Sequence, residues 1–333
     1  MEIRYPAYYD MFRCLAGACP DSCCKEWAVA IDPEAESKYR ALSGPLGDAL
    51  RGAMCQEDGD TILKLTEDRR CPMWRQDGLC RIQVQLGEAG LCQTCSQFPR
   101  LRHDYGDFVE LGLELSCPEA ARLILSGMDQ QIVVVQGTAG EAPDYDQDAM
   151  NILLDSRRQA LELLENPSYT IGEALAVMLL MGYAVQAQLD GEEAAAFAKE
   201  DALRTAKKIA AAGDKDALLE IYRSLEILTE EWACRLKTPA GSRWTGTHRL
   251  LAKYFVERYW LQAISDFDLV GRVKFILASC LMVKWLGGDV LVTAQHYSKE
   301  IENDADNVDA LLDAAYTAPA MADIRLLSLL LEE

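Results

Sequence analysis

Histidine is nearly absent from this 333-residue chain, which has only His103, His248 and His296. Basic residues are also scarce: 33 Lys and Arg face 53 Asp and Glu, a formal net charge of −20. That shortage excludes nucleic acid as the main partner, because phosphate binding needs clustered Lys and Arg. An acidic chain instead suits encounter with a basic partner or a lysine-bearing substrate, against the plainer alternative that the charge serves solubility alone. Long hydrophobic runs are missing as well. The longest, ALAVMLLMGYAVQ at 174–186, stops short of the ~18 apolar residues of a membrane span. No membrane association is predicted. The start, MEIRYPAYYDMFRC, has no basic patch followed by an apolar run, so no signal peptide is expected and the predicted compartment is the cytoplasm.

Nucleotide and hydrolase signatures are absent too. No G-x-G-x-x-G follows a strand pattern, and there is no P-loop, nucleophile elbow or H-E-x-x-H. Cys14, Cys19 and Cys23 are spaced C-x4-C-x3-C rather than the C-x3-C-x2-C of radical S-adenosylmethionine enzymes.

What the chain has instead is cysteine. Ten of its twelve lie at or before Cys117, four of them within CLAGACPDSCC at 14–24. In a reducing compartment such a cluster points to metal binding or redox chemistry rather than a disulfide framework. With His103 the only histidine in that half, the donor set is thiolate-rich. That favours four-Cys zinc or an iron-sulfur cluster over mixed Cys and His sites. Further thiols come in short motifs: CPMW at Cys71, GLCRIQ at Cys80, LCQTCSQFPR at Cys92 and Cys95, and LSCPEAAR at Cys117. Cys92, three residues before Cys95, stays open between ligand and buried thiol. Cys55, Cys234 and Cys280 each stand alone on an expected helix and read as small buried hydrophobes. Adjacent residues on a strand or helix diverge, so Cys23 and Cys24 are not expected to serve one centre.

Period-2 alternation predicts strands at RIQVQL, through Ile82, Val84 and Leu86, and at FVELGLEL, through Val109, Leu111, Leu113 and Leu115. Ser116 and Glu119 suggest a capping box opening a helix at Pro118, with Cys117 at the handover. Beyond GTAGEAPDYDQD at 137–148, helical spacing dominates: 151–166, a buried helix at 171–190, an amphipathic stretch at 218–236, then 247–263, 269–286, 290–303 and 321–331. The acidic run at 300–309 lacks calcium-loop spacing and reads as a solvated helix end. His248 and His296 read as isolated surface or core residues. The expected fold is α+β, mainly α. A small cysteine-rich N-terminal domain with short strands (1–136) is followed by an acidic linker (137–148) and a helical bundle domain (149–333).

Four elements between Tyr8 and Leu125 carry a resemblance: YYDMFRC, CPDSCCKEWAVAID, CPMWRQDGLCRIQVQLGEAGLCQTCSQFPR and LSCPEAARLIL. In order and rough spacing they resemble the flagellin lysine N-methylase family, itself related to cysteine-rich zinc- or iron-chelating domains. QHYSKEIENDADNV resembles the family's final helix more loosely. The resemblance implies methyl transfer from S-adenosylmethionine to the ε-amine of flagellin lysines by a protein carrying an iron-sulfur cluster, 4Fe-4S in type, with zinc as the alternative metal. It implies Cys14, Cys19, Cys23, Cys24, Cys71, Cys80, Cys95 and Cys117 as candidate ligands. Eight exceeds what one four-iron cluster takes, so some are structural or a second centre exists. Arg100 and Arg122 are candidates for pairing with the donor's carboxylate, against the alternative of ion pairs within the domain. No catalytic base is identified. The competing reading is a non-enzymatic metal or redox module.

Overall fold

The protein is described by a computed structural model covering residues 1–57, 59–138, 144–193 and 197–332. The predicted linker at 137–148 lies partly outside these residues, at 139–143. Strands β1 (Glu2–Pro6), β2 (Val29–Ala30), β3 (Met54–Glu57), β4 (Asp60–Leu63), β5 (Arg100–Asp104), β6 (Phe108–Leu113) and β7 (Ile132–Gln136) all lie in the first 136 residues. Helices in the same span are short: α1 (Pro33–Ala41), α2 (Gly44–Ala53), α3 (Arg81–Leu86), α4 (Gln93–Gln97) and α5 (Pro118–Leu125). The rest is helical: α6 (Gln147–Glu165), α7 (Ile171–Leu189), α8 (Lys199–Ile209), α9 (Lys215–Ser224), α10 (Glu230–Lys237), α11 (Gly246–Tyr259), α12 (Leu269–Leu286), α13 (Val290–Tyr297), α14 (Ala305–Thr317) and α15 (Asp323–Leu331).

Two small sheets form. In the first, ordered β5-β6-β1-β7, β1 runs parallel to β6 while the other pairs are antiparallel; the second is an antiparallel β2-β4-β3 ribbon. The hydrophobic interior divides correspondingly. One core joins Tyr8, Phe12, β6 and α5 to the C-terminal helices. A second, smaller core gathers Val29, Ile31, Tyr39, Leu46, Leu50, Leu63, Met73 and Ile82.

α12 is the central helix. Every one of its residues is buried, Asp268 caps it by accepting from the Gly271 amide at 2.8 Å, and Gly287 ends it with φ 67°. Its buried cations are all held: Arg272 by Asp266 (2.8 Å), Lys274 by Asp323 (2.8 Å), and Lys284 by the Glu332 carbonyl (3.2 Å). α7, opened by a Thr170–Glu173 capping box, packs beside it. By length and average composition α7 is apolar enough to cross a membrane, but its apolar run is interrupted as the sequence indicates, and 61% of the window is buried inside the protein. A Cβ on Gly172 would stand 2.0 Å from the Leu330 carbonyl oxygen of α15. Gly172→Ala is therefore expected to destabilise the fold by about 1–3 kcal/mol, read as a lower urea midpoint.

Several expectations are corrected. RIQVQL is helix α3, not a strand: Ile82 is buried, while Val84 (51%) and Leu86 (40%) are exposed, so the alternation marks no buried face. The amphipathic stretch at 218–236 breaks between α9 and α10, where Thr229 accepts from the Trp232 amide and starts a new helix. Pro118 does open α5 after Cys117, but the box with Ser116 does not form, since Glu119 turns to Arg122. Cys55 lies on β3 rather than a helix, and Cys234 is exposed; of the three lone cysteines only Cys280 is buried. The acidic run is not a solvated end. After α13 the chain makes a π turn at Ser298–Glu302 that buries Glu300 and Glu302, and α14, unforeseen, follows.

Candidate functional site

The thiols come together through backbone ties between distant segments. Lys25 bridges Arg70, the Cys71 amide donates to the Cys24 carbonyl (2.7 Å), and Arg81 returns to the Met73 carbonyl (2.8 Å). Gly17 has no side chain, so the loop after Cys14 lies directly on the 77–79 turn; a Cβ there would meet the Asp77 oxygen at 2.9 Å. Glu26 and Arg69 face each other with φ of 79° and 56°, joined by the Glu26 amide to the Arg69 carbonyl at 2.8 Å. Such left-handed non-glycine residues are local strain held by their surroundings.

The result is one neighbourhood of nine thiols. Cys71 and Cys92 are buried in the smaller core, with Cys24, Cys80 and Cys95 packed against it. Cys14, Cys19, Cys23 and Cys117 adjoin this group: charge on Cys14 or Cys23 would raise Cys19, and charge on Cys19 or Cys23 would raise Cys117. Cys23 and Cys24 sit in a turn, where the strand and helix directions used to separate them do not apply. The two thiols influence each other: the Cys24 thiol pulls Cys23 down and is itself pushed up. Cys95 and Cys92 repeat the arrangement, with Cys92 pulled down and Cys95 pushed up. Burial pushes Cys71 up to about 11 and Cys117 up to about 12. In each pair one thiol is thus biased toward the thiolate, the form that metals and electrophiles require.

This donor set suits a thiophilic metal or an iron-sulfur cluster. Among the described residues, however, no three His, Cys, Asp or Glu side chains stand together in a ligating arrangement. The thiols are gathered but not closed around a point.

The helical half holds the first thiol loop in place. Asp21 accepts from Gln295 (3.0 Å) and pairs with Lys25 (2.8 Å) and Lys299 (3.1 Å). Burial opposes its ionisation, yet Lys299 and Lys25 outweigh that and hold the carboxyl at about 2. Lys299 also lies over the Trp27 ring at 4.9 Å. Beside this junction opens a cleft of about 390 Å³ whose walls include Asp21, Arg69, Glu231, His296 and Lys299.

A relative named flagellar biosynthetic protein FliU, from Salmonella muenchen, is 36% identical over 140 residues, which cover 39% of this chain and 80% of that protein. The chain belongs to the flagellin lysine N-methylase family. Two proteins named lysine-N-methylase, from Salmonella choleraesuis (strain SC-B67) and Salmonella typhimurium (strain LT2), are each 33% identical over 158 residues. The match takes in 43% of this chain and 38% of the length of each of those two relatives. No protein-family model matches the chain, and no solved structure does.

Within this flagellin lysine N-methylase family member, all eight predicted cysteines fall in the thiol neighbourhood. Cys92 joins them, and its signal was the Cys-x2-Cys spacing to Cys95. The two arginines separate. Arg122 is engaged by Glu119 through two bonds of 2.8 and 2.7 Å. Arg100 is exposed, lies over the Phe12 ring at 5.1 Å and makes no ion pair among the described residues. His248 is a core residue that accepts from the Thr245 amide at 3.1 Å, and burial takes its pKa down to about 4. His296 lies 3.5 Å from Glu231.

Proposed function

We propose that the protein is an S-adenosylmethionine-dependent lysine methyltransferase acting on flagellin, with a Cys-ligated iron-sulfur cluster. The observation that carries this is the gathering of nine thiols from separate chain segments within a member of this family. The lone pair of a neutral ε-amine attacks the methyl carbon of the sulfonium. The carbon-sulfur bond breaks with its electron pair going to sulfur, which becomes the thioether of S-adenosylhomocysteine. The methylated ammonium then releases a proton. Because a lysine amine ionises at about 10.4 unperturbed, the site must take that proton or desolvate the ammonium.

The ligands are drawn from Cys14, Cys19, Cys23, Cys24, Cys71, Cys80, Cys92, Cys95 and Cys117. A cluster held by some of these thiols would tie the segments together and would supply a Lewis-acidic iron. Arg100, rather than the occupied Arg122, is the cation assigned to the donor's carboxylate. The net charge of −20 suits a lysine-bearing protein substrate.

Anaerobic purification with iron, sulfide and zinc analysis, followed by titration of S-adenosylmethionine, tests this reading. The expected result is a coloured protein whose spectrum responds to the donor. A colourless protein with one stoichiometric zinc and no donor binding overturns it in favour of a structural metal module.

A further inference from the structure

A second site lies apart from the thiols, between the first sheet and helices α6 and α11. The register pairs Leu101 with Gly112 and His103 with Glu110, and Glu110 pairs with Arg4, so these residues share one face of the sheet. That face meets α6 through a two-bond Arg157–Glu110 pair at 2.7 and 2.5 Å. It does not close completely. Gly112 leaves a gap in which an added Cβ would meet nothing nearer than Leu101 at 3.9 Å. Around the gap is a largely apolar cavity of about 180 Å³, reached by Tyr8, His103, Leu161, Tyr254 and Glu257.

The charge inventory of this cavity is uneven. Its three arginines are committed: Arg4 to Glu2 (2.8 Å), Arg157 to Glu110, and Arg258 to Glu302 (3.1 Å). Lys253, one turn before Glu257, pairs with Glu165 (2.8 Å). Among the described residues Glu257 has neither an ion pair nor a side-chain hydrogen bond, and the buried Nε2 of His103 has no partner. Burial pushes the Glu257 carboxyl up to about 7, against the pull of Lys253 and Arg157 and with the push of Glu110 and Glu165. An unmatched carboxyl among tyrosine rings is the chemistry that recognises an organic cation on an apolar stem.

We propose that this cavity receives the alkylammonium end of a lysine side chain, with Glu257 as its counter-ion and Tyr8 and Tyr254 flanking the stem. The assignment of lysine as the source rests on the methyltransferase reading above. Tyr8 and β6 also lead within six residues to Cys14 and Cys117, so cavity and thiols share the same elements.

The test uses n-butylammonium as probe and n-butanol as its neutral counterpart, titrated calorimetrically into the full chain. Wild type is expected to bind butylammonium, Glu257→Gln at least tenfold more weakly, and both proteins to bind butanol alike. Gly112→Leu, which fills the gap on a strand that accepts leucine, is expected to lose both probes. Thermal melts confirm that each variant is folded. No butylammonium binding by wild type, or equal binding by Glu257→Gln, overturns the proposal. Methyl transfer to a lysine peptide is measured in parallel. If wild type and Glu257→Gln methylate with equal KM, the cavity assignment falls and the methyltransferase reading stands. If butylammonium binding depends on Glu257 but wild type transfers no methyl group, the cavity stands and that reading falls.

Discussion

Replacing Glu302 with alanine is expected to destabilise the protein by about 3–5 kcal/mol. The Glu302 carboxylate is fully buried and accepts from Tyr259 (2.9 Å), Tyr254 (3.2 Å) and the Arg258 Nε (3.1 Å). Arg258 is itself largely buried, and its other carboxylate, Glu114, is more distant at 3.5 Å. Removing Glu302 thus leaves a guanidinium in a low-dielectric interior with one weak counter-charge, strips the Tyr259 hydroxyl of its partner and leaves the Tyr254 hydroxyl only as an acceptor from Arg258 (2.8 Å). The loss is read as a lowered urea midpoint. Glu302→Gln keeps the shape and the hydroxyl acceptors but not the charge, so most of the loss should persist. A double replacement, Arg258→Met with Glu302→Met, should recover much of it, because deleting both charges removes the desolvation cost that one alone leaves uncompensated. If Glu302→Ala melts like wild type, the network is not what joins α11 to the π turn.

The second large effect concerns metal. Cys71→Ser is expected to reduce bound iron or zinc from stoichiometric to near zero, whereas Cys234→Ser should leave the content unchanged. Cys71 is central: its amide is tied to the Cys24 carbonyl, its side chain is buried, and charge on Cys80, Cys23 or Cys92 is felt at its thiol. Serine is a poor ligand for a soft metal, and structural metal sites contribute on the order of 10 kcal/mol to folding. Chelation of wild type and the Cys71→Ser substitution should therefore lower the melting temperature to similar values. Retention of metal by Cys71→Ser, or its loss from Cys234→Ser, shows that the thiols have been sorted wrongly.

How much of this was legible in the residues depends on how far away the deciding partner lies. α12 runs over Leu269–Leu286 as its pattern predicts, because an apolar run between Asp268 and Gly287 carries its own cap and stop. α6 and α7 were equally plain. β6 was readable from Val109 and Leu113, both buried. RIQVQL misled because six residues of alternation fit a short helix as well as a strand, and the choice falls to ties with Met73 and the positive φ of Gly87. Burial of Glu300 was invisible because the groups that satisfy it, the Leu228 amide and the Thr229 hydroxyl, lie some 70 residues earlier. Most of the thiol set was legible as motifs. The turn that joins Cys23 to Cys24, and the entire cavity at Glu257, arise only from the way the sheet settles on α6 and α11.

The Asp21 contact has a consequence for biosynthesis. Its partners Gln295 and Lys299 follow it by 274 and 278 residues. At 5–20 residues per second, the N-terminal thiols leave the ribosome roughly 15–55 s before the residues that clamp their loop. Through that interval the loop is held only by its ties to residues 69–81, so a metal or cluster delivered during translation would meet sulfurs not yet clamped by Gln295 and Lys299. One delivered afterwards would meet them already latched.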